Sequence, residues 1–240
     1  MREYIDCYVA FMDLLGFKTL LNDKNKSCED IASVFDEILK RYDFNENGTP
    51  LIDINDIHFK VMSDSICIYI DSTIKESLTV LCWLSIHFAI RLLRLNPPIM
   101  IRGGISKGNI YSNGDIVFGQ GLSNAYMLEN SVAKYPRIII PENIVDDYCK
   151  SLNQSDNELF IKALKMDFDN YYYLNYYELF TAWGYKEEEG ERVKKMIYDT
   201  LSKSLDSNVR DKHLYLKSKI FPEIDKAKKI YKFSSDYDKF

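Results

Sequence analysis

Two aspartates stand where carboxylates can do chemistry. Asp13 closes the apolar run of YVAFMDLLGF and is followed by Leu14, Leu15 and Gly16. Asp64 lies in MSDS, between the apolar runs 57–61 and 66–70. Burying an unpaired carboxylate costs several kcal/mol or shifts its pKa. Two carboxylates brought together raise one of the two pKa values strongly. Divalent cations resolve the conflict, because all-oxygen ligands suit Mg²⁺ or Mn²⁺. Two such ions can activate a hydroxyl and neutralise phosphates under attack. Each acid also has an ordinary reading: Asp13 as the cap of a following helix, Asp64 as a turn former.

The elements decide whether the two acids meet. Residues 4–12 read as a strand. Residues 27–41 carry Ile31, Val34, Phe35, Ile38 and Leu39 at amphipathic-helix spacing. ENGTP, 46–50, reads as a loop. Residues 57–61 and 66–70 form a tight hairpin around MSDS, and a helix over 74–94 stops at NPP, where proline removes a donor. IMIRGGIS, 99–106, is a strand, and 110–118 reads as a hairpin turning at Asn113-Gly114. A helix over 122–133, a strand over 137–141 and a short helix to Cys149 follow. The order β-α-ββ-α-β is the split βαβ, or ferredoxin-like, α+β arrangement, in which strand one neighbours the hairpin. Residues 1–155 are expected to form this domain. Residues 156–240 are expected to be an extension packed on it, with a strand-like DFDNYYYLNYYELF and helices over 186–206 and 212–232.

Bulk properties exclude several classes. The chain has 240 residues, 46% of them hydrophobic, and a net charge of −5. That suits one domain with an appendage and argues against nucleic acid or an anionic membrane as a general partner. Five dispersed cysteines without a CxxC, and three histidines, give no zinc spacing and point to a reducing cytoplasm. MREYIDC is too polar for a signal peptide. The apolar stretch 77–93 contains His87 and Arg91 and reads as a buried helix, not a membrane span.

FMDLLGF, KVMSDSICIYI and IRGGISKGNIY, followed by IVFGQGLSNAYMLE, together resemble the catalytic domain of class III nucleotidyl cyclases. With AYMLENSVAKYPRI the set is most similar to the pyrimidine cyclases of Pycsar antiphage systems, over roughly residues 5–145. The resemblance implies conversion of UTP or CTP to the cyclic monophosphate, as a messenger for a cyclic-nucleotide-responsive effector. It implies two Mn²⁺ or Mg²⁺ ions held by Asp13, Asp64 and the main chain at Leu14. The turn of Leu14, Leu15, Gly16 and Phe17 would wrap the triphosphate, and Arg102 would contact phosphate. Lys60 matches a base-reading lysine, but its usual acidic counterpart falls on Ile116, beside Asp115, which weakens a purine assignment.

The family's Asn-x-x-x-Arg falls here on Ser123 and Met127, or, one residue on, on Asn124 and Leu128. The transition-state cation is therefore missing. Lys134 or Arg137 stands near enough in sequence to replace it, although an ordinary pairing, for example Arg137 with Glu129, is the favoured reading of these two. A purine or dinucleotide cyclase, or an inactive nucleotide-binding sensor, are the alternatives. A homodimer with shared sites is expected: the strands are apolar on both alternations, so the helix-free sheet face needs cover from a second copy or from the tyrosine-rich tail.

Overall fold

The computed structural model describes residues 3–39 and 53–237. The ENGTP loop lies outside the described residues. The first strand, β1 (Ile5–Leu15), is followed by α1 (Phe17–Leu21) and α2 (Cys28–Leu39), then β2 (His58–Met62) and β3 (Ser65–Asp71). Helix α3 (Ser77–Arg94) leads to β4 (Met100–Asn113) and β5 (Ile116–Phe118). Helix α4 (Gln120–Met127) runs into a π-helical turn, Leu128–Val132, and then β6 (Ile138–Ile140). The rest comprises α5 (Glu142–Cys149), α6 (Gln154–Lys162), β7 (Leu164–Met166), β8 (Tyr172–Leu174), α7 (Tyr176–Ala182), α8 (Glu187–Lys203) and α9 (Ser207–Tyr237).

The sheet order β2-β3-β1-β4 is that of a split βαβ, with β1 antiparallel to both β3 and β4. The expected α+β core is therefore present. Beyond it the sheet continues β4-β6-β8-β7, so two strands of the extension lengthen it. One sheet face carries Tyr8, Ala10, Met12 and Leu14 into the main core against α3, whose apolar length is a core helix: fourteen of its residues are buried. The opposite face buries Cys7, Val9, Phe11, Cys67 and Tyr69 beneath α4.

Several boundaries differ from the sequence expectation. Strand β1 runs past Asp13 to Leu15, because β4 pairs with it along its whole length, from Ile5↔Ile110 to Leu15↔Met100. The same ladder carries β4 unbroken through Lys107-Gly108-Asn109, where side-chain pattern predicted a gap. Its hairpin turns at Gly114-Asp115, one residue later than expected. Only Tyr172–Leu174 of the tyrosine-rich stretch is strand, and Tyr176–Ala182 is helix. That stretch does not cover the second sheet face. Tyr173, Tyr176, Tyr177 and Phe180 pack into the main core, and α4 of the same chain takes the second face.

Candidate active site at the end of strand β1

The β2–β3 turn consists of Ser63 and Asp64, since Met62 pairs with Ser65. Ser63 sits at φ 57, the left-handed conformation a two-residue hairpin asks of its first turn residue. The Leu14 amide donates to the Asp64 carbonyl at 2.9 Å, which fixes the turn against β1. Asp13 stands opposite Ser65 on one side and Arg102 on the other. The two aspartates expected to meet thus occupy the same end of neighbouring strands. Asp13 caps no helix: the residue preceding α1 is Gly16, at φ 88, and no side chain caps it.

Arg102 is the hub of this end of the sheet. Its Nε lies 2.6 Å from Glu129 Oε1 and 3.3 Å from Asp13 Oδ2. The contact with Glu129 is a close ion pair without an aligned hydrogen bond. Glu129 arrives from the π-helical turn because α4 lies unusually close to β4. A Cβ on Gly104 would collide with Leu128 Cβ and the Ala125 carbonyl, and one on Gly108 would come within 2.9 Å of the Gly121 amide. Burial raises the pKa of Asp13; Arg102 opposes this and Asp64 reinforces it. Burial also raises Glu129, with Arg102 again opposing and Asp13 reinforcing. Two carboxylates, Asp13 and Glu129, therefore share one guanidinium, with Asp64 as a third negative charge nearby.

Among the described residues no cluster of three or more acidic, histidine or cysteine side chains is arranged to hold a metal. The Asp13/Asp64 pair nonetheless fits Mg²⁺ chemically, because that ion uses one or two carboxylates and completes its shell with water and substrate phosphates.

Other expected residues lie apart. Lys60 shares the row Lys60–Cys67–Phe11–Gly104, on the same sheet face as Asp13, and its ammonium donates to the Gly114 carbonyl at 2.6 Å. Ser123 and Asn124 are exposed on α4. Asn124 lines a cavity of about 880 Å³ with Ser106 and Lys107, and that cavity includes none of Asp13, Asp64 and Arg102. The sequence expectation joins the helix carrying Ser123 and Asn124 to the aspartates of a second subunit, not to those of its own chain. Lys134 is exposed beyond the π turn.

Arg137 neither supplies a free cation nor pairs with Glu129. It is 1% exposed and is held by Asp167 at 2.6 Å and by Asp169. Glu129 is the functional-site residue the sequence reading missed. Its signal was the stripe Gly121, Ala125, Glu129 at four-residue spacing, two small residues and an acid on the helix face that turns out to be buried.

No family model matches the chain, and no curated protein matches it. Among solved structures it is similar to the catalytic core of a rhodopsin-guanylyl cyclase with converted specificity in complex with ATPαS. That alignment has 15% identity and a TM-score of 0.41, and covers 71% of this chain and 95% of the other. A bacterial light-regulated adenylyl cyclase aligns with 12% identity and a TM-score of 0.41, covering 72% and 92%.

Proposed function

We propose that the protein is a nucleotidyl cyclase acting on a pyrimidine nucleoside triphosphate, UTP or CTP, in the cytoplasm. The observation that carries this is the meeting of Asp13 and Asp64 at one end of β1 within a split βαβ sheet. In the reaction the ribose 3′-oxygen bonds to the α-phosphorus, the bond from that phosphorus to the β-bridging oxygen breaks, and pyrophosphate leaves with the electron pair. The hydroxyl proton passes to solvent.

Divalent ions held by Asp13, Asp64 and the Leu14 main chain would supply charge neutralisation at the phosphates. The chain's own part is positioning. The turn from Leu14 to Phe17 would flank the phosphates, and Arg102 fixes the direction of Asp13. The pyrimidine is favoured because Lys60 is already engaged by the Gly114 carbonyl, and an exposed Ile116 stands where a purine-reading acid would be.

The reading includes a homodimer in which α4 of one subunit completes the other's site. Asn124 lines a cavity that includes neither Asp13 nor Asp64 of its own chain, and Tyr126 and Met127 of the same helix are exposed. The product would act as a messenger for an effector in antiphage defence. A catalytically silent nucleotide sensor is the second reading, favoured by Arg102 being occupied by two carboxylates.

The test is incubation of the purified protein with each NTP and Mn²⁺, with products identified by mass. A cyclic pyrimidine nucleotide is expected. Asp13→Ala and Asp64→Ala should each abolish it while melting like wild type, and an equal mixture of Asp13→Ala with Asn124→Ala should regain part of it. Normal turnover by both aspartate variants excludes the proposed mechanism, and a well-folded wild type that binds nucleotide without product leaves the sensor.

A further inference from the structure

The extension places a cation across from the turn that follows β1. A cavity of about 730 Å³ separates the Leu15–Phe17 turn from helices α8 and α9. Its charged lining consists of Lys26, Lys212 and Asp23. Asp23 is occupied: its Oδ1 accepts both the amide and the side-chain nitrogen of Asn25, at 2.9 and 3.1 Å. Lys212, on the first turns of α9, is half-buried and has no ion-pair partner within 4 Å among the described residues.

We propose that Lys212 is a substrate-binding residue whose ammonium meets the phosphate chain received at the Asp13 end of β1. The identity of that anion as a nucleoside triphosphate rests on the cyclase reading; the anion site itself does not.

Two facts support the assignment. The cavity wall that carries Lys212 faces Leu15, Gly16 and Phe17, the turn directly after Leu14 that the cyclase reading assigns to the phosphates. An arginine already shared by two carboxylates has little charge left for phosphate, whereas a lysine without a carboxylate partner keeps its own.

Binding of inorganic tripolyphosphate in the presence of Mg²⁺, measured by calorimetry, tests this without any turnover. Lys212→Met should weaken binding roughly tenfold or more, the loss of one charge-assisted contact. Lys212→Gln gives a second neutral variant should the first fold poorly, and Lys212→Arg should retain most of the affinity. Lys217→Met is the control for net charge, since that lysine of the same helix packs over Tyr198 and Phe221 instead. Unchanged affinity in the Lys212 variants overturns the proposal. Equal weakening by Lys217→Met, or no tripolyphosphate binding by wild type, also overturns it. Absence of cyclic product from any NTP would sink the cyclase reading alone, because the tripolyphosphate series still decides the role of Lys212.

Discussion

Arg102 is pulled between Asp13 and Glu129, and the closer of these is the one the sequence did not advertise. The Glu129 side chain is 4% exposed, so its charge has few alternatives to that guanidinium. Removing one partner of a buried pair costs more than the pair itself contributes, because the other charge is left bare. Arg102→Met is therefore expected to destabilise the chain by about 3 kcal/mol. The double variant Arg102→Met/Glu129→Gln should recover most of that, as read by urea unfolding. An arginine that served phosphate alone would leave stability unchanged in the single variant. The acids of the first strand and the hairpin were legible because each stands next to an apolar run. Glu129 was not, because which face of a helix is buried depends on where the helix docks.

That docking is set by glycines in β4. Residues 99–106 read as a strand, and Gly104, with Gly108 beyond it, is what allows α4 to lie down on it. Gly104→Ala would drive a Cβ into Leu128 Cβ and the Ala125 carbonyl, neither of them the far end of a flexible side chain. Overpacking of this kind costs about 1–3 kcal/mol. The variant should melt lower and lose part of its near-UV circular dichroism, because Tyr126 stacks edge-on against Phe11, at 5.5 Å, across the same contact. An unchanged melting point would mean that α4 is free to slide. The hairpin 58–71, α3 and the α4 region were legible from alternation and helical spacing. The tyrosine-rich stretch misled because aromatic content suits both strands and buried helices. Only three of its residues find a partner strand, and Tyr176 and Tyr177 instead turn their hydroxyls to the Pro136 carbonyl.

Across the whole molecule the core and the extension are joined through Arg137. Its guanidinium meets Asp167 and Asp169, and Asp167 also accepts the Tyr215 hydroxyl at 2.5 Å and Lys219 at 2.8 Å. The Arg137 carbonyl accepts the Gly103 amide at 2.9 Å, one residue from Arg102, so this junction braces the site. Burial would raise Asp167, but Lys219 and Tyr215 outweigh it and hold it low; Asp169 is held low by Arg137. Carboxylates with depressed folded pKa values contribute stability above the ordinary aspartate pKa of about 4 and lose it as pH falls through the folded value. Melting temperature should therefore drop steeply below about pH 4, and Asp169→Asn should flatten that acid limb. An acid limb that Asp169→Asn leaves as steep as wild type would exclude Asp169 as a source. The sequence reading looked for the partner of Arg137 a few residues away, in Glu129. The counterions lie thirty residues and more along the chain, a separation that no local pattern reports.

The same junction imposes an order on synthesis. A chain leaving the ribosome presents Arg137 and β6 well before Asp167, Asp169, Tyr215 and Lys219 emerge. Until then the strand Ile138–Ile140 has no β8 beside it and the guanidinium has no counterion. An open apolar edge strand is the feature most apt to pair with a neighbouring chain. The growing chain is thus at its most adhesive between the emergence of β6 and that of Asp167, Asp169 and β8, which together close that window.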